Sequence, residues 1–214
     1  MENNSKNICK LKYEFLNSYT GNSHTTEVLP NSTSSHIQLK NEHILLLHNF
    51  LENNPIYSNQ ISQQMLDTEC TIFEGDLNNY WIDSIKHDAS YAPFYPTWML
   101  SAFSLAIETQ NLGFQQIIDI GSGDGRIAYC GKVLGLDSIS IEIDENLTSM
   151  QENISSKTGV KFNPICSDAT IFDYNKISKK PSIFFIGGVS EIGEVLAESV
   201  ISNVLKIKHF SNSI

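Results

Sequence analysis

The 214-residue chain contains no apolar run of the roughly 18 residues that a membrane-spanning helix needs. Its opening residues, Met-Glu-Asn-Asn-Ser-Lys, lack the charged-then-apolar order of a secretory leader. The four cysteines, Cys9, Cys70, Cys130 and Cys166, include no Cys-x-x-Cys pair, so neither a zinc motif nor a disulfide framework is indicated. Cys130 and Cys166 read as small buried hydrophobes. The six histidines are scattered as well. His43 and His48 lie five apart, which on a helix puts them on poorly matched faces, and no metal site is expected. These absences fit a reduced, cytoplasmic setting.

Positive charge is also scarce. There are 14 Lys and Arg against 24 Asp and Glu, a net charge of −10. The deficit is uneven: residues 1–110 carry 5 basic against 12 acidic side chains, and residues 111–214 carry 9 against 12. Lys179-Lys180 is the only adjacent basic pair. A nucleic-acid binder usually displays a basic face, and none is legible here. An acidic protein more readily attracts a basic partner, such as a lysine-rich protein.

What the chain does have is concentrated at residues 117–126, Ile-Ile-Asp-Ile-Gly-Ser-Gly-Asp-Gly-Arg. A strand-forming run enters a turn with glycine at every second position, and Ile127, Ala128, Tyr129 and Cys130 then begin an apolar helical pattern. Strand, glycine turn and helix in that order form the ligand corner of a doubly wound α/β domain. Glycine allows the sharp turn and lets a ligand approach bare backbone. At the end of the next strand-like run, 138–142, stands Glu142, where such folds place the acid that meets a ribose. A dinucleotide fingerprint requires Gly or Ala at position 126, and this chain has Arg126.

The pattern Asp119-x-Gly121-x-Gly123-x-Gly125, with Glu142 and Ser167-Asp168-Ala169 after the strand-like 161–165, resembles the class I S-adenosylmethionine-dependent methyltransferases. The resemblance covers roughly residues 91–210. It implies S-adenosylmethionine as cofactor, with Asp119, Gly121, Ser122, Gly123 and Gly125 at its methionine part. Glu142 and Ile143 would then lie at the ribose, and Asp168 and Ala169 at the adenine. For Asp119, a purely structural role tying the turn to backbone amides stands beside the ligand role. Asp124 reads as a loop-former.

A second cluster, Tyr91-Ala92-Pro93-Phe94-Tyr95-Pro96-Thr97, precedes the first core helix. With the glycine motif it resembles the seven-strand protein lysine methyltransferases, the archaeal and nucleosomal group. That resemblance implies N-methylation of lysine in a basic protein, with Tyr91, Tyr95 and Glu191 as candidate catalytic residues. Core sealing is the plainer role for Phe94 and Trp98. After the fourth strand the chain reads Ile186-Gly187-Gly188-Val189-Ser190-Glu191 rather than Asn/Asp-Pro-Pro-Tyr, which disfavours base methylation. Two alternatives stay open: a tetrapyrrole or other small-molecule methyltransferase, and a non-catalytic relative serving as an interaction module.

The expected architecture is α/β, a doubly wound, mainly parallel sheet with a small helical N-terminal element. Residues 1–36, rich in Asn, Ser and Thr, read as disordered or loosely attached. Residues 37–90 read as the helical element, with helices at 37–51 and 58–66 and no clear period over 71–83. Residues 91–214 form the methyltransferase domain: a helix at 97–110, strands at 116–120, 138–143, 161–165 and 182–186, helices at 126–134, after Asp144 and at 190–201, and a last strand at 204–210. A full class I sheet has seven strands, so the C-terminal hairpin is missing from this count. An uncovered edge strand invites pairing with another copy, so either a homodimer through that edge or a shortened domain is expected.

Overall fold

The structure is a computed structural model that describes residues 2–80, 95–187 and 191–210, with side chains described from residue 6 and not at 191–193. Two compact units are present, Met1–Leu77 with Thr97–Ser104, and Asn78–Pro96 with Leu105–Ile214. Helix α3 (Met99–Asn111) starts in the first and ends in the second.

The first unit is not disordered at its start. Helix α1 (Glu2–Ser18) buries Ile8, Leu11 and Phe15, spaced three and four apart on one face. Strand β1 (Thr25–Pro30) follows, then α2 (Asn41–Glu52), which buries Ile44, Leu47, Phe50 and Leu51. Strands β2 (Tyr57–Met65) and β3 (Thr68–Gly75) complete an antiparallel sheet in the order β1-β3-β2. The helix expected at 58–66 is therefore β2. Ile61 and Met65 mimic a helical spacing, and the strand shows no alternation because residues 58–62 are exposed on both faces. Leu66 and Asp67 close the hairpin, Leu66 with φ +52°, and its N–H donates to both oxygens of Glu14 at 3.1 Å. Buried Glu27 of β1 accepts the Met99 N–H at 2.9 Å, satisfying one of the free donors at the start of α3.

The second unit is the doubly wound one. Strands β4 (Gln116–Ile120), β5 (Asp137–Glu142), β6 (Asn163–Cys166) and β7 (Ser182–Ile186) are all parallel, in the order β6-β5-β4-β7. Helices α4 (Arg126–Val133), α5 (Glu145–Thr158) and α6 (Glu191–Leu205) alternate with them. All five residues of β4 are buried, as a strand covered on both faces requires. The chain runs outward through β5 and β6, then returns to place β7 on the other side of β4. That reversal is the topological switch point, and the crevice at the carboxyl ends of β4 and β7 is where such sheets bind ligands. One face of the sheet packs Ile118, Ile120 and Ile141 against Tyr174, Val200 and Phe210.

No strand forms at 204–210. Helix α6 continues to Leu205, and Lys208–Phe210 make a single 3-10 turn. Val204, Ile207 and Phe210 recur every third residue on a helical path that buries Val204 and Phe210 and half-buries Ile207, and Phe210 meets Phe184 edge-on with centroids 5.2 Å apart. The edge strand on that side is thus β7, paired to β4 alone among the described residues. No helix among them is long and apolar enough to cross a membrane.

Candidate functional site

The corner after β4 is built from backbone first. Gly121, Gly123 and Gly125 have φ of +64°, +57° and +77°, so every second residue of the turn is left-handed. That region costs an L-residue with a Cβ about 1–2 kcal/mol, which is why glycine recurs at every second position. Gly121 has a second constraint. A Cβ there would lie 2.2 Å from the Gly187 carbonyl oxygen, because the chain leaving β7 crosses it and donates from Gly187 N–H to Ile120 O at 2.6 Å.

The loop's donors are turned into the protein. Gly121 and Ser122 N–H both donate to Ile141 O, at 2.9 and 3.3 Å, and Gly125 N–H donates to Ser122 O at 2.8 Å. Gly123 N–H donates to Glu142 Oε2 at 2.8 Å. Farther on, Arg126 N–H donates to Asp124 Oδ1 and Ala128 N–H to Asp119 Oδ2, each at 3.3 Å.

Three carboxylates converge on this turn. Glu142, only 7% exposed, accepts Ile143 and Asp144 N–H on Oε1 at 2.9 and 3.1 Å, besides Gly123 on Oε2. Burial raises its pKa, and these three N–H donors oppose the rise. One acceptor direction on Oε2 is left over. Asp119 is buried at the end of β4, and burial holds its carboxyl well above the usual range, with the charges of Asp124 and Glu142 adding to the effect. Asp124 is engaged by Arg126, whose Nε donates at 2.9 Å to Oδ1 and whose second terminal nitrogen donates at 2.5 Å to Oδ2. Arg126 is the single arginine of the sequence and is 2% exposed. It occupies the position that a dinucleotide fingerprint reserves for Gly or Ala.

Beyond β5, Asp144 caps α5 as expected, accepting Asn146 and Leu147 N–H at 2.8 and 3.1 Å. Ile143 is half-buried beside it. After β6, half-buried Asp168 accepts the N–H and hydroxyl of Thr170 on Oδ1, at 2.8 and 2.7 Å, and Oδ2 takes no part in that turn. Ala169 is buried, and its carbonyl accepts the Tyr174 hydroxyl at 2.8 Å. The Ser167 N–H donates to Glu142 O at 2.8 Å and joins this turn to the end of β5.

Asp119, Gly121, Ser122, Gly123, Gly125, Glu142 and Ile143 therefore form one bonded corner, and Asp168 and Ala169 stand at the next strand end. The candidate catalytic set falls largely outside the description. Tyr95 is 57% exposed, Tyr91 lies outside the described residues, and Glu191 begins α6 with its side chain outside the description. Gly188, Val189 and Ser190 lie outside it as well. One residue that the sequence reading passed over is central. Gln151 on α5 is wholly buried and bonds to Ser122, Gly123 and Ser140. A polar residue on the stripe Leu147, Met150, Ile154 is the signal that marks it. No group of three or more His, Cys, Asp or Glu among the described residues could hold a metal ion.

The donor inventory limits what this corner can bind. A pyrophosphate site needs free backbone N–H groups aimed outward at a helix start. Here the N–H groups of residues 121, 122, 123, 125, 126 and 128 are all committed to protein oxygens. The carboxylates of Asp119 and Glu142, gathered at the same corner, make it an environment for donors and cations.

Fold and site together define a doubly wound α/β domain with an acid-lined glycine corner. No protein-family profile matches the sequence, and no curated protein matches it. Solved structures with a similar fold include a Thermoplasma acidophilum protein, at 19% identity and TM-score 0.35, covering 58% of this chain and 64% of that one. An S-adenosylmethionine-dependent methyltransferase from Clostridium acetobutylicum is similar at 15% identity and TM-score 0.37, covering 48% of this chain and 45% of that one. The glycopeptide N-methyltransferase MtfA, solved with S-adenosylmethionine, is similar at 13% identity and TM-score 0.37, over 49% of each chain. The chain thus spans about half to two thirds of the length of these proteins.

Proposed function

We propose that the second unit binds S-adenosylmethionine at the glycine corner and transfers its methyl group to an amine, the lysine side chain of a basic protein. The observation that carries the cofactor is the donor inventory of the corner. With the N–H groups of residues 121, 122, 123, 125, 126 and 128 spent internally, the turn suits a ligand that donates hydrogen bonds and carries positive charge, rather than a phosphate. S-adenosylmethionine has those properties in its ammonium, sulfonium, ribose hydroxyls and adenine amine. The residues present fit it. The spare acceptor direction of Glu142 Oε2 suits a ribose hydroxyl, Asp168 Oδ2 suits the adenine amine, and the buried Asp119 supports the end that bears the ammonium. The bound cofactor supplies an electrophilic methyl group on a sulfonium.

The chain's own contribution is then to bind, orient and exclude water. The acceptor must be a free amine. Removing a proton from a lysine of pKa near 10.4 costs about 4–5 kcal/mol at pH 7. Desolvation beside Tyr91 and Tyr95 lowers that cost, and Glu191 or a tyrosine hydroxyl takes the proton. The net charge of −10 favours a basic substrate protein.

Calorimetric titration tests the cofactor directly. S-adenosylmethionine and S-adenosylhomocysteine are expected to bind, and NAD and ATP are not. Tight binding of a nucleotide phosphate, or no binding of either sulfur compound by folded protein, overturns the reading. Transfer of labelled methyl into lysine-rich protein, lost in Tyr91→Phe or Glu191→Gln with cofactor affinity kept, then tests the substrate class.

A further inference from the structure

Both amide atoms of Gln151 are engaged within the protein. It sits on the inner face of α5 with no solvent exposure. Its Nε2 donates to Ser122 Oγ at 2.9 Å and to the Gly123 carbonyl at 2.7 Å, and its Oε1 accepts the Ser140 hydroxyl at 2.6 Å. The Gly123 carbonyl can only accept, so the orientation of the amide is fixed. Gly123 is thereby held at both backbone groups, its N–H by Glu142 from β5 and its C=O by Gln151 from α5. A Cβ at Gly125 would come within 2.9 Å of the same amide, so the side chain also fills the space under the turn.

We infer that Gln151 is a positioning residue of the cofactor loop. It acts through Ser122 and Gly123 to keep the loop's carbonyls and Glu142 in their binding arrangement, and it touches no ligand itself. The inference rests on the proposed cofactor site. Its physical basis is the asymmetry of buried polar groups: if the amide is replaced by an apolar group, Ser122 Oγ and the Gly123 carbonyl lose their donor, and the loop is free to turn them toward water. Such a residue is expected to affect the loop locally and leave the sheet intact.

The test compares wild type with Gln151→Leu in two readouts, calorimetric affinity for S-adenosylhomocysteine and amide hydrogen exchange followed residue by residue. We expect at least a tenfold loss of affinity and faster exchange at Gly123 and Gly125, with exchange at Ile118 and Ile141 unchanged. Unchanged affinity, or unchanged protection at Gly123 and Gly125, overturns the inference. If Gln151→Leu does not fold, Gln151→Glu decides with the same readouts. An ionised carboxylate donates to neither Ser122 Oγ nor Gly123 O, and a protonated one offers a single donor where the amide offers two, so the same loss of affinity and of loop protection is expected. Wild-type affinity and protection in that variant refute the positioning role. Failure of wild type to bind S-adenosylhomocysteine overturns the cofactor reading instead, and the exchange readout still judges the hold of Gln151 on the loop.

Discussion

Replacing Gly121 by alanine separates two reasons for a glycine that are usually confounded. The residue has φ +64°, and its missing Cβ would sit 2.2 Å from Gly187 O. Gly159, the C-cap of α5, has φ +74° and nothing within 4 Å of its Cβ position. Both substitutions meet the left-handed penalty of about 1–2 kcal/mol, partly offset by about 0.4–1 kcal/mol from a stiffer unfolded chain. That shared part cancels in the comparison. Gly121→Ala must in addition move the backbone leaving β7 and strain or break the 2.6 Å bond from Gly187 N–H to Ile120 O. Overpacking at about 1–3 kcal/mol and a net hydrogen bond near 1 kcal/mol put the excess at about 2–4 kcal/mol. Urea unfolding of both variants, read against wild type with unchanged m-values, measures the difference. Equal destabilisation of Gly121→Ala and Gly159→Ala would refute the close crossing of β4 and β7 backbones.

Asp119 and Leu66 offer two further tests. Asp119 has its pKa raised by burial, so its contribution to stability is complete below the ordinary carboxylate value and is lost as pH rises through the folded-state value. Wild type should therefore gain stability relative to Asp119→Asn as pH falls from 7.5 toward 4, by at most about 1.4 kcal/mol per pH unit, and a constant difference in urea unfolding would contradict this. At the hairpin in the first unit, Leu66→Asn should raise stability by about 0.5–1 kcal/mol, since Asn tolerates positive φ where Leu is strained, while Leu66→Val should lower it; the reverse order would show that the side chain of Leu66 matters more than its backbone.

The second unit was legible because its signals are local and its strands are covered on both faces. The runs 116–120 and 182–186 are rich in Ile and Phe, and both form strands with those bounds. The glycine turn, Glu142 at a strand end and Asp144 as a cap are fixed by backbone geometry, which sequence spacing records directly. The first unit was not legible because its order comes from tertiary pairing. Strand β2 is polar and exposed, and it is a strand because β3 pairs with it from Met65↔Thr68 onward. Helix α1 shows only Ile8, Leu11 and Phe15 as a buried stripe amid Asn, Ser and Lys, too sparse to stand out before its partners are known. The 204–210 run failed for a different reason: apolar content was read as a strand where its period of three demanded a helical turn. Gln151 was missed because an unassisted reading treats a polar residue in a helix as solvated, and only the strand and loop above it reveal its three partners.

The buried pairing of Arg126 with Asp124 has a practical consequence for following this domain in solution. Because the chain contains one arginine, an arginine-specific protease has one peptide bond to attack, Arg126–Ile127, at the start of α4 and beside the glycine turn. That bond is sheltered while the guanidinium stays under the turn, so cleavage requires the corner to open, and the cut rate reports the population of opened corner. Every other basic residue is a lysine and is invisible to the enzyme. Any small molecule that closes the corner would slow a single, well-defined cut into fragments of 126 and 88 residues, a ligand screen that needs neither a label nor a known reaction.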